Sequence, residues 1–330
     1  MKIAKKISLA FLVTAIILTT LAGCVFYFIA KNSLQHAIYA HLNTAIRSRE
    51  EHVKTYLEML KSSVAQLSKS IVLENFLKME KDSPKKNEAL DLAIKRLINT
   101  KAVTPSVYEF LLLDKIGKVV ASSDAADIGL DKSSDAFFVE AQKDAYIKDA
   151  YYSEATHKPL IAASAPLSDS ETDEFLGVIV ARVELNDLYK IVTESTGLGQ
   201  TGEIYIVNKD GFMITPSRFL KDTFLKQKVD TLNFRNSQLH KNRAFVPTHE
   251  EIITTQDYRG TIALGTHEYV SETQWSLLGE IDRREAFAPL VKIRIIFWLI
   301  LFFTPLAAWL IGLVLQKIPT QSKENSAKRE

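Results

Sequence analysis

One cysteine in 330 residues rules out an internal disulfide and any thiolate-rich metal site. An excess of positive charge is missing as well. With 41 basic residues against 39 acidic ones, the chain has no sequence-wide means of gripping a phosphate backbone, and nucleic acid is not an expected partner. Histidines at metal-binding spacing are absent: His36 and His41 stand five apart and diverge on a helix, and His249-Glu250-Glu251 has no second histidine four residues on. There is neither a Gly-x-Ser-x-Gly elbow nor a phosphate-cradling Gly-Lys-Ser/Thr loop. Gly197-Leu198-Gly199-Gln200-Thr201-Gly202 satisfies the dinucleotide pattern Gly-x-Gly-x-x-Gly, but a helical segment precedes it and a strand follows. That order is the reverse of the one that aims a helix N-terminus at a pyrophosphate, so the segment reads as a link. No nucleophile–base set emerges, and the sequence predicts no enzyme, no cofactor and no metal site.

What the chain has is concentrated apolar sequence at its two ends. Ile7 to Ala30 runs 24 residues without a charge, and Ile295 to Leu315 another 21. At about 1.5 Å per helical residue each can cross a hydrocarbon core of about 30 Å. Lys2, Lys5 and Lys6 precede the first span, and Lys317, Lys323, Lys328 and Arg329 follow the second. The positive-inside rule therefore puts residues 1–6 and 316–330 in the cytoplasm and residues 31–294 on the far side; Lys31, Lys292 and Arg294 oppose this, but a long translocated domain obeys charge rules weakly. Leu21-Ala22-Gly23-Cys24 has the form of a lipoprotein cleavage box, yet Val25 to Ala30 prolong the apolar run past the cysteine, which favours an uncut anchor.

Past the first anchor the helical period continues. Leu42, Ile46, Arg49, Val53, Tyr56, Leu57, Leu60, Val64, Leu67 and Ile71 form one stripe, predicting a helix from Asn32 to Leu73 about 63 Å long whose seam suits a partner helix as well as its own domain. Ser83 and Pro84 open a second helix running to about Asn99. Beyond Thr100 the period shortens: Val107 to Leu113 reads as a strand, Lys115-Ile116-Gly117 as a turn, and Lys118 to Ala121 as the return. Phe110 to Gly117 matches Ile204 to Gly211, and Ser123 matches Ser217, at a constant offset of 94 residues, so two related modules are expected at 101–196 and 197–291. Further strands are predicted at Pro159–Pro166, Phe175–Glu184, Thr261–Glu268 and Trp275–Ile281, with a helix from Leu185 to Thr196 ended by Gly197. The predicted fold is α+β: two tandem modules with mostly antiparallel sheets on a long N-terminal helix and a second helix (31–100), flanked by transmembrane helices at 7–30 and 295–315.

Several stretches carry a resemblance: Asp135-Ala136-Phe137-Phe138, Tyr146, Tyr151 to Pro159, Phe175 to Arg182, Thr196 to Ser217, and Trp275 to Phe287. From about Lys31 to Leu290 the sequence resembles the double Cache, PAS-like extracytoplasmic sensor domain of bacterial chemoreceptors, sensor histidine kinases and membrane cyclases. The resemblance implies a two-span sensor in the bacterial cytoplasmic membrane, a homodimer through the N-terminal helix, and a small organic ligand in the first module. Amino-acid-binding members hold the carboxylate with an Arg-x-Trp-Tyr stretch and the ammonium with later aspartates. Here the arginine position is Asp135, the aromatic pair is Phe137-Phe138, the Tyr-x-Asp position is Tyr151-Tyr152-Ser153, and the last strand carries Arg182 where those members place an acid. The expected site is therefore Phe137, Phe138, Tyr146, Tyr151, Ser153 and Arg182, taking an anionic, amine-free ligand such as a small carboxylate on Arg182. The alternative is that Arg182 bridges to Asp135 or Glu184, or faces solvent, with the aromatics as ordinary core. No output module follows Leu315, so signalling is expected to pass to a separate histidine kinase, cyclase or chemotaxis protein or to belong to a longer receptor; a solute-presenting membrane module is the alternative.

Overall fold

The computed structural model describes residues 2–154, 156–239 and 253–317. The chain divides into two compact units, one of residues 41–282 and one of the segments up to 40 and from 283 onward.

Helix α1 runs unbroken from Lys2 to Ser68, 67 residues. In its later part the predicted stripe is the buried face: Leu42, Ile46, Val53, Leu57, Leu60, Val64 and Leu67 are all at most 4% exposed. Each such side chain contributes about 1.5–3 kcal/mol by leaving water. The stripe does not reach Leu73 as expected. Ser70 takes an extended conformation, a new helix α2 spans Ile71–Lys78, and Ile71 is exposed while Leu73 and Phe76 turn inward. Helix α3, Lys86–Ala102, begins two residues after Pro84 and outlasts Asn99.

Strands β1 (Val107–Asp114) and β2 (Val119–Ser122) form the predicted hairpin. A 3-10 turn at Ala125–Asp127 and a short helix α4 (Ala136–Val139) lead to β3 (Tyr146–Ser153), β4 (Lys158–Ser168) and β5 (Phe175–Glu184). These strands make one antiparallel sheet in the order β2-β1-β5-β4-β3. Helix α5 (Asn186–Thr193) follows; it stops at Thr193 because Glu194 is already extended, so Gly197, at φ 81°, belongs to the connecting loop and does not cap the helix. The second sheet contains β6 (Glu203–Val207), then, beyond helix α6 (Leu232–Leu239), β7 (Ile253–Gln256), β8 (Ile262–Val270) and β9 (Trp275–Asp282), in the order β6-β9-β8-β7. Arg47 pairs with Glu268 and Lys61 with Glu272, at 3.0 and 2.7 Å, tying α1 to the second sheet.

The duplication read from sequence extends to individual hydrogen bonds. Asp114 Oδ1 accepts from the amides of Ile116 and Lys118 at 3.1 and 3.0 Å; Asn208 Oδ1 accepts from those of Asp210 and Phe212 at 3.1 and 2.8 Å. Gly117 and Gly211 close the two turns at φ 85° and 83°, where an L side chain is strained. The carbonyls of Gly117 and Gly211 then accept from Lys132 and Val229, both at 2.8 Å. Strand register carries the equivalence across each sheet. Phe110 pairs with Ala181 as Ile204 pairs with Gly279, so the Glu109–Arg182 pair of the first module corresponds to the Glu203–Glu280 pair of the second.

In the other unit, the apolar part of α1 and helix α8 (Ala288–Lys317), preceded by the short helix α7 (Arg283–Ala286), are both long and apolar enough to cross a membrane. A methyl group at Gly23 would overlap the ring of Phe297, so the absent side chain lets α1 and α8 touch there.

Candidate ligand-binding site

On one face of the first sheet, strand alternation turns Leu111 and Leu113 of β1 and Val178 and Val180 of β5 toward Phe137, Phe138 and Ala141, with Tyr146, Tyr151 and Phe175 packed against the cluster. The same alternation places Glu109 and Arg182 at the end of this apolar floor. Both are buried, at 1% and 8% exposure. A guanidinium there is costly unless each face of its fork finds an acceptor. It does: Nη1 donates to Glu109 Oε2 at 2.9 Å and to Asp127 Oδ2 at 2.7 Å, Nη2 to Ser153 Oγ at 2.9 Å, and Nε to Tyr151 Oη at 3.3 Å. Ser122 Oγ adds a 2.6 Å bond to the other oxygen of Glu109. Burial, with Asp127 adding to it against the opposing pull of Ser122 and Arg182, holds the Glu109 carboxyl well above the ordinary carboxylate range.

A second ion pair borders the first. Lys148 of β3 donates to both oxygens of Asp135, at 2.8 and 2.9 Å, and its ammonium lies 4.3 Å from the ring centroid of Tyr151 and 5.2 Å from that of Phe137. Asp135 also accepts from the Phe137 amide at 3.3 Å, which fixes the start of α4. The polar group thus contains two cations, Arg182 and Lys148, and three carboxylates, Glu109, Asp127 and Asp135.

The structure brings all six residues singled out from sequence to this face: Phe137, Phe138, Tyr146 and Tyr151 in or against the apolar cluster, Ser153 and Tyr151 on Arg182. The partners of Arg182 are other than sequence suggested. Asp135 belongs to Lys148, and Glu184 accepts from Lys158 at 2.5 Å. The fork expected to await a carboxylate already meets two of the protein's own. Glu109, Asp127 and Lys148 escaped the sequence reading. Glu109 carried a signal, an acid inside an otherwise apolar strand one residue before the repeated block; Lys148 carried one in the Tyr146-Ile147-Lys148 alternation.

At the equivalent position of the second module two acids face each other across the register. Glu280, 3% exposed, accepts from Tyr205 Oη at 2.9 Å and Asn233 Nδ2 at 3.1 Å, and burial raises its pKa to about 7. Glu203 accepts from Tyr258 Oη and the Arg218 amide, each at 2.5 Å, and borders a cavity of about 250 Å³ that Ser195, Leu198, Ser217 and Arg218 also line. Among the described residues no group of three or more His, Cys, Asp or Glu side chains is placed to hold a metal ion.

Known proteins share this architecture. The Cache domain family model matches residues 30–290. The sensor domain of the Vibrio cholerae histidine kinase DctB superposes with a TM-score of 0.56 at 13% identity, covering 75% of this chain and 98% of that one. The ligand-binding domain of Mlp24 with asparagine gives 0.51 at 20% identity, with 78% and 99% covered. That of the Pseudomonas fluorescens chemoreceptor CtaA in complex with L-leucine gives 0.52 at 15% identity, again with 78% and 99% covered. At these identities the likeness is one of fold. Among curated protein sequences none matches.

Proposed function

This chain belongs to the Cache domain family, and from that premise we propose that it is the ligand-sensing part of a two-span membrane receptor. Its polar cluster on the first sheet binds a small organic molecule, and α8 carries the response toward a histidine kinase, cyclase or chemotaxis module, in another protein or in a longer receptor. Residues 31–294 lie outside the cytoplasmic membrane and both termini inside it, in accord with the basic residues that flank the spans on their outer sides. The chain acts as a homodimer through α1 and performs no catalytic step.

One observation carries the reading: two cations, Arg182 and Lys148, beside an apolar and aromatic cluster are held by three carboxylates of the chain itself, in bonds a ligand can exchange. That balance also bears on ligand chemistry. An amine-free anion would have to displace Glu109 or Asp127 from Arg182 and leave a buried carboxylate unpaired, which is costly. A molecule with both an ammonium and a carboxylate can exchange like for like, its ammonium taking Asp135 from Lys148 and its carboxylate taking Lys148. The ligand class is therefore amino acids and related amines; asparagine and L-leucine are the ligands in the Mlp24 and CtaA complexes.

The test is a thermal-shift and calorimetric panel on the full chain in nanodiscs, comparing amino acids, simple amines and amine-free carboxylates. Binding by an amino acid or amine that Asp135→Asn weakens at least tenfold supports the proposal. Binding confined to amine-free carboxylates and lost in Arg182→Lys would restore the simple-anion site, and no binding by any member would refute the assignment of the cluster.

A further inference from the structure

Among the described residues strand β3 pairs only with β4, and its register slips between Lys148 opposite Ala162 and Tyr151 opposite Leu160, leaving a bulge at Asp149 and Ala150. A bulge breaks the strict in-and-out alternation of a strand and re-aims its side chains. Lys148 and Asp149 point to opposite faces as neighbours in a strand do, and the extra residue at Asp149 and Ala150 brings Tyr151, three on from Lys148, back to the face of Lys148. Lys148 enters the polar cluster of the first module and clasps Asp135. Asp149 leaves the module altogether and accepts a 2.7 Å hydrogen bond from Nε1 of Trp275. Trp275 is fully buried, opens β9, the strand that lies between β6 and β8, and β9 leads within a few residues into α7 and α8. The second-module turn at Lys209 and Asp210 is near enough to act electrostatically on Asp149. A charged acceptor on a buried indole is a strong and directional contact, so it responds to small backbone displacements.

We propose that the β3 bulge is a relay: freeing Lys148 from Asp135 shifts the bulge and alters the bond between Asp149 and Trp275, so that the state of the first-module cluster is read at the first residue of β9. The biological sense of the relay rests on the ligand site proposed above. The coupling itself does not, because substitution can free Lys148 without any ligand. A coupling of this kind is established by non-additivity between the two ends.

The experiment uses the full chain in nanodiscs with Trp298→Phe and Trp309→Phe, which leaves Trp275 as the sole tryptophan, labelled as 5-fluorotryptophan for fluorine NMR and probed in parallel by acrylamide quenching. Asp149→Asn removes the charged acceptor and sets the scale of the change. Asp135→Asn frees Lys148 and is expected to move the Trp275 resonance in the same direction, with Asp135→Asn/Asp149→Asn moving it no further than Asp149→Asn alone. Lys148→Met, which opens the same clasp from the other side, is expected to reproduce Asp135→Asn. An unmoved resonance in both Asp135→Asn and Lys148→Met overturns the relay, as does simple additivity, or an unmoved resonance in Asp149→Asn. Loss of fold in both clasp variants, seen by circular dichroism, overturns it too, since the clasp would then hold the module together and report nothing. A chain that binds no member of the amino-acid panel can still pass this test, so the two proposals fail separately.

Discussion

Replacing Arg182 with Met separates its two readings, structural clasp and open ligand contact. The wild-type guanidinium donates to four acceptors, and the carboxylate of Glu109 has a side chain only 1% exposed. Removing the cation leaves Glu109 and Asp127 facing each other with no counter-charge, and breaking a buried pair in this way costs about 3–5 kcal/mol. For a folded unit of this size that loss lowers the thermal midpoint by about 6–20 °C, followed by circular dichroism of the full chain in nanodiscs. The pH dependence has a definite sign. With its carboxyl already held above the usual range, Glu109 in Arg182→Met holds its proton more tightly when folded than when unfolded. The stability that this proton confers is present in acid and is lost as pH rises. The deficit is therefore largest above neutrality and shrinks toward pH 4. Adding Glu109→Leu to Arg182→Met removes the stranded charge and is expected to recover most of the loss. A loss below about 1 kcal/mol at pH 8 in the single variant would refute the reasoning, because a guanidinium paired as seen here cannot be that dispensable.

Further outcomes follow from the same physics. Glu280 has a pKa raised from 4.5 to about 7 by burial, so it favours the folded state while protonated and its contribution is lost as pH rises between those values; Glu280→Gln is expected to match wild type near pH 4.5 and to exceed it by up to about 3 kcal/mol at pH 8, and parallel pH curves for the two proteins would contradict this. Gly117→Ala and Gly211→Ala each force a side chain into left-handed backbone at a cost of about 1–2 kcal/mol, but the methyl at 117 would press the Ser133 backbone at 2.5 Å whereas that at 211 meets nothing nearer than 3.4 Å. Urea denaturation should accordingly rank Gly117→Ala below Gly211→Ala, and the reverse order would deny the packing described. In a Cys24→Ser background, Gly23→Cys and Phe297→Cys are expected to join through a short bismaleimide, and absence of the cross-link would separate the two spans.

The elements legible in sequence were those whose burial makes a long uniform pattern. β5 was bounded at Phe175 and Glu184 because nearly all of it lies between two packed faces and reads as a continuous apolar run. The stripe of α1 was legible for the same reason, whereas its end was not, since Lys69-Ser70 contains neither glycine nor proline and the break is made by α2 turning Leu73 and Phe76 inward. β3 is marked by its aromatics but does not read as a strand, because the extra residue of its bulge at Asp149 and Ala150 puts Tyr151 and Ser153 out of step with Tyr146 and Lys148 and spoils the alternation. α4, at four residues, is too short to show a period. In the candidate site, Arg182 stood out as the one cation in an apolar strand, but its partners come from 73 and 55 residues away. Such pairings are decided by sheet order and loop path, and a single sequence prints neither.

The two modules show how one template divides its labour. Their turns share the same side-chain acceptor, the same left-handed glycine and the same following amide bond, so the backbone frame is common to both. What differs is the polar filling of one register position. In the first module Glu109 faces an arginine, and the resulting charges spread into a cluster that includes the partly exposed Lys148–Asp135 pair. Ion pairs of that kind exchange partners at modest cost, since each member can be re-paired by a ligand group of the same sign. In the second module Glu203 faces Glu280, and Glu280 is bonded by the neutral groups of Tyr205 and Asn233, the latter from α6 lying on the sheet. A ligand cation reaching Glu280 would have to displace Asn233 of α6. The partly exposed ion pair is thus in the first module and the acid bonded by neutral groups in the second, so under the proposed function the first module is the one whose charges a ligand can re-pair.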